Sequence, residues 1–108
     1  LLAYARVFRT ARIPSPMSAA QGYDGMHLLA LAMRQARSLD GDSLRQALED
    51  LQVRYQGVVT SYDKPFSSQD HDAITANMML VGRVVEGRVD YAYREDQQRS
   101  ALLRFKQR

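Results

Sequence analysis

The sequence has no cysteine among its 108 residues and no long apolar run. Without cysteine there can be no disulfide framework, no thiolate zinc site and no cysteine nucleophile. The longest apolar stretch, residues 26–33, is interrupted by His27 and is far shorter than the ~20 residues that cross a bilayer. With 45% hydrophobic and 25% charged residues, the composition is that of an ordinary globular domain and excludes a disordered or collagen-like chain.

The sequence also has only a small excess of positive over negative charge. The 15 Lys and Arg residues are nearly balanced by 12 Asp and Glu, which leaves a formal charge of +3. A nucleic-acid-binding protein concentrates its basic residues on one face and interleaves them with aromatic rings. Here the arginines are dispersed among acidic residues, so the sequence predicts no nucleic-acid partner.

Two helices separated by a proline-containing linker are predicted at the start of the chain. Residues 1–10 have the apolar spacing of an amphipathic helix, and the two prolines in residues 13–16 predict an extended linker. Ser18 offers an N-cap for a long helix over residues 18–38, which is rich in good helix formers. Apolar residues cover more than one face of this helix, so we expect it to be packed on two sides and mostly buried.

A third helix and a strand are predicted next. Asp42 or Ser43 can cap a helix whose apolar residues recur at the amphipathic spacing, namely Leu44, Ala47, Leu48 and Leu51. Residues 53–62 are rich in β-branched and aromatic side chains and predict one strand, with a bulge or bend at Gly57. Residues 63–76 lack periodicity and predict a loop.

The C-terminal third predicts a β-hairpin. Residues 78–85 and 88–93 are strand-like, and Glu86 and Gly87 between them form a two-residue linker suited to a hairpin turn. The polar tail, residues 94–108, is compatible with either a short helix or a frayed end.

Motifs for catalysis or metal binding are weak. Asp70, His71 and Asp72 form the triplet closest to a metal-binding or proton-transfer motif. An extended loop directs His71 away from both carboxylates, however, which favours a loop-capping role. His27 lies alone in the long helix, where a hydrogen-bonded histidine of the core or cleft is the more common case. The sequence contains neither G-x-S-x-G nor a Gly-rich nucleotide motif. It therefore predicts no enzyme, no metal site and no cofactor.

Tyr23 and Asp24 lie in the first turns of the long helix. A carboxylate there interacts favourably with the helix dipole, and free backbone N–H groups point outward. A structural cap and a ligand-facing role are both compatible with this position.

The order of these signals resembles a family, the periplasmic solute-binding proteins of the branched-chain amino acid receptor type, or type I periplasmic binding proteins. The resemblance covers residues 1–93. It depends on the order of these signals: the helix Tyr4-Ala5-Arg6-Val7-Phe8, the proline-containing linker, the Ala-rich run to Gly22-Tyr23-Asp24, the Leu44 to Leu51 helix, the segment Tyr55-Gln56-Gly57-Val58-Val59, a Phe66 to His71 loop and the closing hairpin. It implies an α/β fold class, a C-terminal fragment of a two-lobed protein with two to three helices, a strand and a C-terminal β-hairpin. Residues 1–76 would end the N-terminal lobe, and residues 77–108 would supply a crossover strand, hairpin and tail of the second lobe, with Asn77 at a hinge.

The resemblance also implies a function. The chain would belong to the substrate-binding component of an ABC importer, which holds a small amino acid or an organic, including aromatic, carboxylate between its lobes and docks on the permease in the inner membrane. It would be periplasmic, with a signal peptide upstream. The ligand-binding residues would be Ala19, Ala20 and Gln21 with Tyr23 behind them, and the small Ala20, where relatives often place an aromatic ring, leaves room for a bulkier ligand.

One alternative remains open from the sequence. A small basic interaction module could use the arginine-rich C-terminus to bind an acidic protein or a nucleic acid. A fragment that holds parts of two lobes would also expose apolar surface, which favours self-association.

Overall fold

The fold is mixed α/β, with helices and small antiparallel strand pairs. A computed structural model describes residues 2–10 and 12–100. Within these ranges the helices are α1 (Leu2–Phe8), α2 (Pro16–Gln35), α3 (Gly41–Glu49) and α4 (Arg94–Arg99), and a 3₁₀ turn covers Ala76–Met78. The strands are β1 (Tyr55–Gln56) with β2 (Ser61–Tyr62), and β3 (Gly82–Val85) with β4 (Arg88–Tyr91). Over the same ranges, no helix has the length and apolarity needed to cross a membrane.

Helix α2 begins and ends earlier than the sequence predicts. It starts at Pro16, because proline has no N–H to leave unpaired and its fixed φ suits the first helical position. Ser15 is therefore the N-cap residue, and the prediction of Ser18 was wrong; the Ser15 hydroxyl instead donates to Ser18 Oγ at 2.8 Å. The helix ends at Gln35, three residues before the predicted end.

The expectation that α2 is buried on two sides was also wrong. Its buried residues are spaced four apart, at Ala20, Asp24, Leu28 and Ala32, and form one stripe along the helix. Met26 is 65% exposed and Met33 is 42% exposed on the opposite side. Within the described chain, α2 therefore packs through one face only.

Helix α3 packs on that stripe and forms the core. Its predicted amphipathic spacing is confirmed, but its N-cap is Asp40, whose Oδ1 accepts a hydrogen bond from the Ser43 backbone N–H at 3.0 Å. The Gln35 side chain ties the two helices together, since its amide donates to the Asp50 carbonyl and its oxygen accepts from Gln52 N, both at 2.9 Å. The buried cluster between them comprises Leu28, Ala32, Ala47, Leu51 and Tyr62.

Residues 53–62 form a hairpin and not the single strand that we predicted. Strand β1 pairs with β2 in antiparallel register, with Tyr55 opposite Tyr62. The chain reverses between Gly57 and Thr60, where the Gly57 N–H donates to the Thr60 carbonyl at 2.9 Å. The bend expected at Gly57 is therefore a complete turn.

The C-terminal hairpin is confirmed, although its strands are shorter than predicted. Glu86 and Gly87 have φ angles of 49° and 75°, and two positive φ angles are the signature of a type I′ turn. All residues of β3 and β4 are exposed. Helix α4 follows the hairpin, and Asp96 on it accepts a hydrogen bond from Val81 N at 3.1 Å. The rest of the predicted tail, residues 101–108, lies outside the described residues.

Candidate ligand-binding groove

A groove of about 310 Å³ separates α1 from the first turns of α2. Three of the predicted ligand-binding residues, Ala19, Ala20 and Tyr23, line its α2 side. The α1 side consists of Ala3, Tyr4, Val7 and Phe8, and Val58 of the β1–β2 turn closes one end. No charged side chain belongs to the lining that the described residues provide.

Gln21, the fourth predicted ligand-binding residue, lies outside the groove. Residues two apart on a helix point about 200° apart around its axis, so Ala19 and Gln21 cannot face the same cavity. Ala19 is partly buried beside the groove, whereas Gln21 is exposed to solvent. The period of the α-helix could have shown, from the sequence alone, that Ala19 and Gln21 do not share a helix face.

The sequence did not identify the α1 wall. Tyr4 and Phe8 lie one helical turn apart, and their ring centroids are 4.5 Å apart with the planes tilted by 39°. The spacing of four residues could have revealed this aromatic pair, because side chains at i and i+4 share one face of a helix. Nothing local indicates, however, that this face is directed at α2.

A row of aromatic rings begins at Tyr23 and leads from the groove to the core. The Tyr23 and His27 rings are 4.5 Å apart, His27 stacks on Tyr55 at 5.3 Å, and Tyr55 stacks on Tyr62 at 6.0 Å. His27 is exposed, so its expected place within a buried helix was wrong. Burial, followed by the negative charge of Asp24, raises the pKa of the Tyr55 hydroxyl.

Asp24 has a structural role. Its side chain is fully buried, and it accepts hydrogen bonds from Val58 N at 2.7 Å, Val59 N at 2.8 Å and the Tyr62 hydroxyl at 3.0 Å. Successive backbone N–H groups form a concave anion site, which a protein carboxylate fills here. Burial, and then this hydrogen bond to Asp24, raises the pKa of Tyr62. Of the two roles left open by the sequence, the contacts of Asp24 correspond to the structural one.

Glycine is required at position 57 because of this carboxylate. A Cβ atom at Gly57 would lie 2.6 Å from Tyr62 Cε2 and 2.7 Å from Asp24 Cγ, closer than such atoms can approach. The β1–β2 turn therefore sits directly on the buried face of α2. Through this contact, the turn places Val58 at the end of the groove.

Asn77, which the resemblance places at a hinge, lies in the 3₁₀ turn that precedes strand β3. Thr75 donates to Asn77 Oδ1, and Arg99 of α4 donates to the carbonyl oxygens of Asn77 at 3.5 Å and Met79 at 3.3 Å. Asn77 Nδ2 is buried without a hydrogen-bond partner among the residues that the structure describes. Asn77 is far from the groove in sequence and is not part of its lining.

The Asp70-His71-Asp72 triplet holds its loop together. Asp70 Oδ1 accepts from the Asp72 N–H at 2.9 Å, as in an Asx turn, and His71 Nε2 lies 3.1 Å from Glu49 Oε1 on α3. Arg45 and His71 together lower the pKa of Glu49, with the Arg45 hydrogen bond as the larger cause. Residues 2–10 and 12–100 contain no cluster of three side chains suited to a metal ion.

Comparison with known proteins identifies no relative. No family model matches the sequence, no curated protein matches it, and no solved structure matches the chain. The chemistry of the groove therefore has to be inferred from its own residues.

Proposed function

We propose that this chain is the C-terminal part of a periplasmic solute-binding receptor for an ABC importer. The groove between α1 and α2 forms one wall of the ligand cleft, and the ligand is a small amino acid or organic carboxylate. The main support is that Ala19, Ala20 and Tyr23, chosen from the sequence as cleft residues, line one cavity together. Ligand contacts with both lobes would shift the population toward a closed form that docks on the permease.

The chemistry of the groove supports a cleft that is only partly present. Pockets for small ligands combine an apolar lining with a few polar groups that fix orientation. The described lining supplies the apolar part, but it contains no charged group to bind an ammonium or a carboxylate. Those contacts would come from earlier parts of the receptor, as the resemblance implies.

Unpaired apolar surfaces support the fragment proposal independently. The hairpin exposes Val84 by 75% and Val89 by 80%, and α2 exposes Met26 by 65%. Large apolar side chains exposed to this extent are normally covered by further protein, which here would be the rest of the two lobes.

Three of the described arginines form ion pairs with acidic side chains. Arg45 forms an ion pair with Glu49 at 2.8 Å, Arg99 pairs with Asp96 at 3.6 Å, and Arg54 pairs with Asp63. Because these three cations are locally neutralised, they contribute little to a surface that would attract a polyanion.

The coding sequence upstream of Leu1 is the first test. We expect it to contain a signal peptide and a complete first α/β lobe. An upstream region that is absent or belongs to another class of protein would overturn the proposal.

Ligand titration of the complete natural protein is the second test. Calorimetry with leucine, phenylalanine and benzoate should show saturable binding of at least one of them. Ala19→Trp, which fills the groove, should weaken that binding by tenfold or more, whereas Gln21→Trp places the same ring outside the groove and should leave it unchanged. Equal losses in the two variants would show that the groove is not the site.

A further inference from the structure

Three of the eight described residues that line the groove are aromatic. Tyr4 and Phe8 form a tilted pair on α1, and Tyr23, which is 50% exposed, faces them from α2. Aromatic rings attract one another in offset and edge-to-face arrangements, because the edge of one ring is positive and the face of another is negative. An aliphatic group in the same place would gain only the burial of its apolar surface.

The size of the groove suits a substituted ring. Its volume is about 310 Å³, roughly twice that of the ~150 Å³ apolar cavity that holds a benzene molecule. The small side chains of Ala19 and Ala20 leave this space open on the side opposite the α1 rings. A single ring therefore fits with room for a substituent that leads out of the groove.

We propose that the groove binds the aromatic ring of the ligand, so that the receptor selects an aromatic carboxylate or an aromatic amino acid over an aliphatic one. This inference rests on the proposed function and specifies its ligand class. The charged group of the ligand points out of the groove, because the described lining offers it no counter-ion. Tyr23 contacts the ring and continues into the stacked row through His27.

The complete natural protein is titrated with benzoate, phenylalanine and leucine. The aromatic ligand that binds more tightly should bind about three- to tenfold more tightly than leucine, which is the range expected from an added aromatic contact. Tyr23→Ala should weaken that aromatic ligand by about three- to tenfold, and by more than it weakens leucine, which loses only the apolar surface that the ring covers. Tyr93→Ala removes another half-exposed tyrosine, one outside the groove, and should change neither.

The outcomes distinguish a failure of the aromatic inference from a failure of the receptor function. Leucine binding more tightly than both aromatic ligands would overturn the aromatic inference and leave the receptor function standing. An aromatic ligand that loses equal affinity in Tyr23→Ala and Tyr93→Ala would place its ring elsewhere and also overturn the inference. Failure of all three ligands to bind would overturn the receptor function and the inference with it.

Discussion

Replacing Asp24 with alanine should destabilise the protein more than any other single removal of a carboxylate. The substitution leaves the Val58 and Val59 N–H groups and the Tyr62 hydroxyl without their acceptor. A hydrogen bond to a charged group contributes about 1.5–3 kcal/mol, and losses within one network do not add fully. We therefore expect a loss of about 3–5 kcal/mol, a large share of the ~5–15 kcal/mol that stabilises a typical domain.

Urea unfolding followed by circular dichroism measures this loss. Asp42→Ala is the matched control, because the Asp42 side chain is 88% exposed and surface substitutions of this kind change stability by only about 0.5 kcal/mol. If Asp24→Ala fails to fold, Tyr62→Phe provides a graded test, because it removes one of the three donors and should cost about 1–3 kcal/mol. A loss in Asp24→Ala no larger than that in Asp42→Ala would refute the structural role of the buried carboxylate.

Three further predictions concern the turns and a helix cap. Gly57→Ala should cost about 1–3 kcal/mol in urea unfolding by overpacking, whereas Gly22→Ala, which meets open space within α2, should gain about 0.5–1 kcal/mol. Glu86→Asn should protect the hairpin amides from hydrogen exchange, because asparagine tolerates a positive φ; Gly87→Ala should expose them, and the reverse order would exclude the type I′ turn. Hydrogen bonds from Ser38 and then Ser43 hold the pKa of Asp40 well below its usual value, so the stability that Asp40 contributes is present above about pH 4 and is lost as the pH falls. Asp40→Asn should flatten this part of the stability profile between pH 2 and pH 6, and an unchanged profile would contradict the cap.

Local signals predicted the elements that depend on neighbouring residues. The amphipathic spacing of α3 is an i, i+3, i+4 pattern, and the turn at Glu86-Gly87 depends on two adjacent residues. Both are confirmed because each is determined within a few residues of chain. The positions of the caps were less accurate, since Ser15, Ser18, Asp40 and Asp42 all have suitable side chains and only one residue can cap each helix.

The β1–β2 hairpin was not predictable in this way. Its turn is held by Asp24, which lies 34 residues before Val58 in the sequence. A run of β-branched residues around a glycine predicts a strand equally well, and only the distant carboxylate decides between a bend and a reversal. The prediction that α2 is buried on two sides was wrong for a related reason. Apolar residues on more than one face of a helix predict more than one packing partner, but among the described residues only one face of α2 is packed.

The sequence analysis names residues on only the α2 side of the groove. Ala19, Ala20 and Tyr23 came from the resemblance to a receptor family and line the groove, while Gln21 came from the same stretch and does not. The wall made by α1 depends on how two helices meet across a proline linker. No pattern within either helix specifies that meeting.

Tyr23 and Asp24 connect the stability of the chain to its candidate site. Neighbouring helical residues point about 100° apart, so Asp24 enters the core while Tyr23 faces the groove. Asp24 fixes the Val58 backbone, and the Val58 side chain forms the end of that groove. A change at Asp24 that leaves the helices folded therefore still alters the shape of the cavity that Tyr23 lines. The carboxylate that could have faced a ligand instead affects the shape of the candidate site indirectly, through the turn that it holds in place.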